Sequence, residues 1–365
     1  MNYKAIGIMS GSSLDGLDIV FAEFQEQGGK WSYEILESAC YPFDENLKIQ
    51  LRDAVLLNAL DYQLLHTSFG HYIGDKVNQF IKEKNLEYQV ALIASHGHTT
   101  FHHPEKKMTA QLGDGAAIAA TTQLPVVSDL RAMDVALGGQ GAPIVPIGEK
   151  FLLNEYEYFL NLGGIANISV NQSPYIAFDI CPANRVLNML AQDAGKEYDE
   201  GGKMAASGNL HQDLLDRLNG FEYYKKPFPK SLANDFGTAL IYPAIVGANI
   251  PVADALHTYC EHIAQQIAAS IDTGIKESSF KAGGKLLATG GGAFNSFLIE
   301  KLKEKLKLLQ IEVVVPEAGL VNYKEALIMA FIGVLRWRQE HNVLSSVTGA
   351  SRDNIGGALW MGQPA

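Results

Sequence analysis

Apolar residues open this chain in short runs broken by glycine. AIGIM at residues 5–9, the turn SGSSLDG and the run LDIVFAEF are followed by WSYEILESA, where aromatic and β-branched residues alternate with polar ones. That pattern predicts strand, turn, strand and third strand. The period then changes. Residues 61–85 place Leu65, Phe69, Ile73, Val77 and Phe80 near a 3.6-residue repeat and end in lysines that suit a helix C-terminus, so a helix is expected to lie on the sheet. VALIASHG, a short apolar run between a helix end and a glycine, reads as an inner parallel strand. The first lobe is therefore expected to be α/β.

After Asp134 the passage ALGGQGAPIVPIGEK holds four glycines and two prolines, which predicts irregular chain and a lobe boundary or hinge nearby. The opening pattern then recurs. YEYFLNLGGIANISV reads as strand, glycine turn and strand, and PYIAFDI as a third strand. Residue identity between the copies is low, so the repeat is one of pattern, and two lobes of one design is the economical reading. The second copy continues with a helix carrying Val252, Leu256, Tyr259, Ile263, Ile267 and Ile271 on one stripe. KLLATGGGAFNSFLIEKLKEKL follows as strand, triple-glycine turn and helix, and YKEALIMAFIGVLRWRQ as a buried helix.

Composition narrows the class. A chain of 365 residues with 47 % apolar residues can bury a sizeable core without staples. The formal charge of −11 and the lack of a basic run exclude a general phosphate-backbone binder, so nucleic acid is not expected as a partner. Three widely spaced cysteines, Cys40, Cys181 and Cys260, fit a reduced compartment, and the first apolar run is too short for a signal peptide. No run is expected to approach the roughly 20 residues of a membrane span. A cytoplasmic protein with no membrane partner is the reading.

Three turns, MSGSSLDG, NLGGIAN and TGGGAFN, end apolar strands. Glycine there bares backbone N–H groups that can approach an anion, although most glycine turns exist for conformational reasons. Neither the P-loop nor the dinucleotide fingerprint is present, so a nucleotide, if bound, would sit between hairpins. Asp15 or Asp18 could then reach Mg²⁺, while for Asp15 a plain turn role is as good. Asp179 stands at the end of YIAFD, where a strand delivers a carboxylate to a sheet rim, as general base or as the cap of the helix beginning near Ala183. SHGHTTFHHP holds His96, His98, His102 and His103. Gly97, the threonines and Pro104 disfavour a helix presenting ligands to zinc, and a strand end whose turn from His96 to His98 lines a cleft is preferred. Arg131 either pairs with its neighbours Asp129 and Asp134 or clamps a carboxylate. Glu325, read at the start of an apolar helix, is either a first-turn dipole charge or a ligand contact.

The segments GIMSGSSLDGLD, ASHGHTTFHHP, QLGDGAAIA, SDLRAMDVALGGQGAPIVP, NLGGIANIS, AFD, ATGGGAFN and KEALIMAF, in this order, resemble the anhydro-N-acetylmuramic acid kinase family. That family is part of the acetate and sugar kinase, Hsp70 and actin superfamily. The resemblance spans residues 7 to about 330. It implies an α/β fold of two ribonuclease-H-like lobes (the actin-like ATPase fold) flanking a nucleotide cleft. Residues 1–130 with about 346–365 would form the first lobe and 131–345 the second, with the chain end packing back onto the first.

The implied activity is hydrolysis of the 1,6-anhydro ring coupled to phosphorylation of O6 by ATP with Mg²⁺, on a small amino-sugar substrate; a homodimer is left open. Asp179 would activate water. Gly11, Ser12, Ser13, Leu14, Asp15, Gly16, Leu17 and Asp18 would hold the ATP phosphates, with Asp18 toward the metal, and Gly290, Gly291 and Gly292 would lie near the nucleotide. His96, Arg131, Asp179 and Glu325 would line the sugar site, Arg131 suiting its lactyl carboxylate. The chain departs from the family pattern at FDICPAN, where Ile180, Cys181 and Ala183 replace a hydroxyl and two glycines, and at Asn188, where an acid is expected. PFPKSLANDF keeps Lys230 and Ser231 but lacks the T-G-R-E that usually follows. Two rivals are a same-fold kinase acting on an ordinary sugar hydroxyl and a non-catalytic ATP-binding sugar sensor. A sensor of the repressor type would carry a DNA-binding helix-turn-helix, whereas this N-terminus begins directly with the sheet.

Overall fold

The computed structural model describes residues 1–362 except Ser12, Ser13, Ser173, Pro229 and Asn234. The chain divides into two units, residues 1–153 with 323–365, and residues 154–322. These divisions fall later and earlier in the chain than 130 and 346. The glycine-rich passage stays with the first unit because Asp134 binds Thr348 and Asn354 and Glu149 pairs with Lys324, all inside that unit.

Strands β1 (Asn2–Ser10), β2 (Gly16–Gln27), β3 (Lys30–Pro42), β4 (Leu92–His103), β5 (Met108–Leu112) and β6 (Val126–Ser128) belong to the first unit. Strands β7 (Tyr158–Leu162), β8 (Ile165–Val170), β9 (Ile176–Pro182), β10 (Gly284–Thr289) and β11 (Ile311–Val314) belong to the second, and β12 (Ala358–Trp360) to the first again. The first sheet runs β12-β6-β4-β1-β2-β3 with β5 on β4, and the second β11-β10-β7-β8-β9. In each, three antiparallel strands are followed by two parallel additions on the other side of the first strand. This is the ribonuclease-H-like order, present twice, as the repeated pattern predicts. The chain end returns to the first sheet through β12 on β6.

Local chemistry explains the elements. The helix Ala59–Glu83 starts where the Asn58 side chain accepts from Asp61 N, and it buries Leu65, Phe69, Ile73, Val77 and Phe80, the predicted stripe. In the second unit the helix Val252–Lys276 buries Leu256, Tyr259, Ile263, Ile267 and Ile271 against the sheet core of Leu160, Ile168 and Leu286. Two expectations are corrected. SHGHTTFHH is not a strand end and turn: β4 continues through it and pairs with β5. Gly97 permits this, because it sits at φ +70° and a Cβ there would meet Leu112 O at 2.3 Å. The helix Ala318–Trp337, twenty residues long, is apolar and long enough to cross a membrane, contrary to the expectation that no run approaches that length. Most of its apolar stretch is buried, with Leu327, Ile328, Phe331 and Ile332 at 0 % exposure, which is a core helix's pattern.

Candidate active site

In the first unit the β1–β2 tip is short. Leu14, at φ +59°, donates from its N–H to Gly11 O, and Gly16 is already in strand register opposite Pro42. Of the expected phosphate loop, Ser12 and Ser13 lie outside the described residues. Gly16, Leu17 and Asp18 belong to β2, and Leu17 is fully buried, so its side chain belongs to the core and not to a ligand surface. Asp18 is half-buried, and the Cys40 thiol donates to it. Burial raises its pKa against that hydrogen bond, with smaller contributions from the negative charges of Glu325 and Asp15.

The residues His96 and Arg131 come together. Arg131 Nε donates to His96 Nε2 at 2.8 Å, and Nη1 donates to Gly141 O at 2.6 Å. His96 Nε2 is thereby an acceptor, so the proton rests on Nδ1, which donates to Gly97 O at 2.9 Å. Burial first, then the positive Arg131, push the His96 pKa down to about 3, and the ring stays neutral. Both nitrogens are spent, which replaces the expected direct His96 contact to substrate with a grip on Arg131. Burial lowers Arg131 to about 10, opposed by Glu325, so it stays charged. It forms no ion pair with Asp129 or Asp134 among the described residues, and three of its five N–H donors remain for a ligand. Glu325 is half-buried in the third turn of the helix that begins at Ala318. The first-turn dipole reading is therefore wrong: the helix starts just past Pro316, earlier than its most apolar stretch suggests.

In the second unit Asp179 lies inside β9, which runs on to Pro182, so it is not the strand end expected from the sequence; its Oδ2 accepts from Leu232 N at 2.9 Å. The helix Asn184–Asp193 has no side-chain cap, so the capping alternative for Asp179 falls. Burial raises the Asp179 pKa, and the Leu232 N–H opposes it. The segment around Lys230 wraps this strand: Asp179 N donates to Lys230 O, and the Tyr223 hydroxyl donates to Asp179 O. The Lys230 ammonium lies 4.8 Å over the Tyr223 ring. Sequence reasoning kept Lys230 as a motif residue without seeing this bracket. The departures Ile180, Cys181 and Ala183 are all fully buried, so they alter the core side of the strand.

Gly290 leaves β10 at φ +81°, and a Cβ there would come within 2.5 Å of Asn161 Oδ1. The turn is braced by Asn184, whose Nδ2 donates to Leu162 O at 2.9 Å. Gly291 and Gly292 then line a pocket of about 650 Å³ with Asn184, Asn188, Asp199 and Asn295. Asp199 already accepts from the N–H groups of Met204 and Ala205, and Asn295 caps the helix Ser296–Lys307. Asn184 is the residue of the family pattern kept at the end of FDICPAN, without a hint of this brace, and no signal in the sequence pointed to Asp199. Among the described residues no group of three His, Cys, Asp or Glu side chains could hold a metal ion.

Two ribonuclease-H-like units with glycine turns and carboxylates on their strands define a protein of the actin-like ATPase fold, the class that includes the acetate and sugar kinases. The family model for anhydro-N-acetylmuramic acid kinase matches residues 3–362. The anhydro-N-acetylmuramic acid kinase of Photobacterium profundum is 34 % identical over 376 residues, covering 98 % of each chain. That of Sulfurovum sp. (strain NBC37-1) is 32 % identical over 367 residues, covering 98 % of this chain and 99 % of the relative. The chain belongs to the anhydro-N-acetylmuramic acid kinase family, as the ordered motifs imply.

Proposed function

We propose that this protein is an ATP-dependent kinase that opens 1,6-anhydro-N-acetylmuramic acid with water and phosphorylates the freed O6, giving N-acetylmuramic acid 6-phosphate and ADP in cell-wall recycling. Family membership over nearly the whole chain supports the reading. The observation that carries it is Asp179, a half-buried carboxylate with one backbone N–H on Oδ2 and a pKa raised by burial, which suits a general base. Asp179 takes a proton from water, the hydroxide oxygen bonds to C1, and the C1–O6 bond breaks with its electron pair on O6. That oxygen attacks the γ-phosphorus and the β,γ-bridging oxygen leaves with ADP, so the proton taken by Asp179 is the one released. Proximity and fixed charge supply most of the catalysis in such transfers.

The tip at Gly11, Leu14 and Asp15 and the turn at Gly290, Gly291 and Gly292 would hold ATP. Arg131 would clamp the lactyl carboxylate end-on through Nη1 and Nη2, and Glu325 would contact the sugar. Asp18 would reach Mg²⁺ as a single half-buried carboxylate, with water and phosphate oxygens completing the ion's shell. When bound, that ion would offset phosphate charge. Dependence on ATP sets the reaction in the cytoplasm.

Incubation with ATP, Mg²⁺ and the anhydro sugar in ¹⁸O water tests this by mass spectrometry. Label on the C1 oxygen with phosphate on O6 is expected. Unlabelled phosphosugar formed from a free hexose, or no product at all, would replace it with an ordinary sugar kinase or with a sensor.

A further inference from the structure

The loop after Arg131 and the segment 342–357 are parts of the first unit whose buried polar chemistry the reaction does not use. They meet at Asp134, which is 0 % exposed. Its Oδ1 accepts from the Thr348 hydroxyl at 2.8 Å and from Asn354 Nδ2 at 2.9 Å, and its Oδ2 accepts from Gly141 N at 2.8 Å. No cation lies within ion-pair distance of it among the described residues. A buried carboxylate without a counter-ion is costly, and only a full set of directed donors offsets that cost. The loop closes directly on it: Gly139 N donates to Asp134 O, and a Cβ at Gly139 would fall 2.2 Å from Oδ2. Gln140 N donates to Thr348 O at 2.7 Å, tying the same loop to the C-terminal segment a second time.

The consequence lies one residue on. Gly141, held by its N–H on Asp134, presents its carbonyl to Arg131 Nη1 at 2.6 Å, while His96 holds Nε from the other side. A guanidinium is a planar fork, and two fixed acceptors on Nε and Nη1 leave it one orientation. We propose that Asp134 is a positioning residue: through Gly141 it sets the direction of the Arg131 fork, and it makes residues 348–354 part of the substrate grip. This rests on the reading of Arg131 as the clamp for the lactyl carboxylate. Any loop filler could occupy the space. An acceptor with both oxygens committed to three donors holds the loop in one register.

The test compares steady-state kinetics of the full-length enzyme with ATP on 1,6-anhydro-N-acetylmuramic acid and on 1,6-anhydro-N-acetylglucosamine, which lacks the lactyl carboxylate. Asp134→Asn turns an acceptor into a donor facing donors. It is expected to raise KM for the carboxylated sugar about 10-fold, to change kcat less than about 3-fold, and to leave kcat/KM on the other sugar unchanged. Thr348→Val removes a single donor and should shift the same KM about 3-fold, which keeps the test open if Asp134→Asn does not fold. Equal losses on both sugars, or wild-type KM in both variants, would overturn the proposal by leaving Asp134 a structural residue. Arg131→Ala separates the underlying reading: if the preference for the carboxylated sugar survives that change, the clamp itself fails.

Discussion

His96 is the sharpest place to test the electrostatics of the first unit. Its ring is 3 % exposed, accepts from Arg131 at Nε2 and donates to Gly97 O from Nδ1, so the folded state holds it neutral with a pKa near 3 against 6.5 for the free side chain. A folded-state pKa below the unfolded one stabilises fully above pH 6.5, and that stability is lost as pH falls toward the folded value. At about pH 4.5 the unfolded chain has taken up the proton and the folded chain has not, a difference of two units, or about 2.7 kcal/mol at roughly 1.36 kcal/mol per unit. Substitution His96→Gln keeps an acceptor for Arg131 and removes the titration. All three tryptophans, Trp31, Trp337 and Trp360, lie in the first unit, so their fluorescence during urea unfolding reports on the unit that holds His96. Between about pH 7.5 and about pH 4.5 the wild type should lose about 2.7 kcal/mol more than His96→Gln. Carboxylates that titrate in the same window are common to both proteins and cancel. Equal losses in the two proteins, within about 0.5 kcal/mol, would show that His96 takes up its proton in the folded state and would refute the neutral tautomer.

Asp179→Asn should cut kcat by about 10² to 10⁴ while leaving the affinity for ATP near wild type, measured by product formation and by nucleotide titration. Because burial raises the Asp179 pKa, the wild-type rate should fall on the acid side above the ordinary carboxylate range, and the variant should not be less stable at neutral pH, where the ionised group opposes folding. Gly290→Ala forces a side chain onto φ +81° and sets its Cβ 2.5 Å from Asn161 Oδ1 and 2.9 Å from Leu162 O. It should cost about 1–3 kcal/mol of stability and raise KM for ATP, read by thermal unfolding and by ADP release.

What the sequence disclosed follows from the range of the interactions involved. The strand-turn-strand blocks and the stripe Leu65, Phe69, Ile73, Val77 and Phe80 are local periodicities, and the structure contains them as written. The strand that carries Asp179 was legible as a local apolar run, but its end was not: β9 continues to Pro182, so Asp179 stands inside the strand. Nor were the partners of these groups. Thr348 reaches Asp134 from 214 positions away, and Leu232 reaches Asp179 from 53, so no window of sequence contains both. The neighbours Asp129 and Asp134 were natural partners for Arg131 on proximity in sequence, yet the guanidinium turned to His96 and a glycine carbonyl. β4 ran on through the histidines for a similar reason: pairing with β5 supplies the hydrogen bonds that the glycine and threonines alone do not promise.

The repeated units also show how one hairpin design came to carry different chemistry. In the first sheet Gly16, the first residue of β2, pairs with Pro42, the last of β3; in the second, Ile165, the first of β8, pairs with Pro182, the last of β9. Counting inward from those matched ends, Asp18 faces Cys40 in the first unit. In the second, after a one-residue bulge, Asn167 faces Asp179. The same rung of the same hairpin thus bears an acid in both units, on the second strand in one and on the third in the other. Directly paired residues on an antiparallel ladder keep their Cβ atoms about 5 Å apart, so the exchange moves a carboxylate by about that distance without altering the fold. Their surroundings then separate them. Burial raises the pKa of both, against the Cys40 thiol on Asp18 and the Leu232 N–H on Asp179; what separates them is charge, since Asp18 also feels the acids Glu325 and Asp15, whereas Asp179 is set by burial and its one hydrogen bond. The bulge before Asn167 matters here, because one extra residue re-aims the strand that follows it and gives the second unit a carboxylate where the first has a thiol.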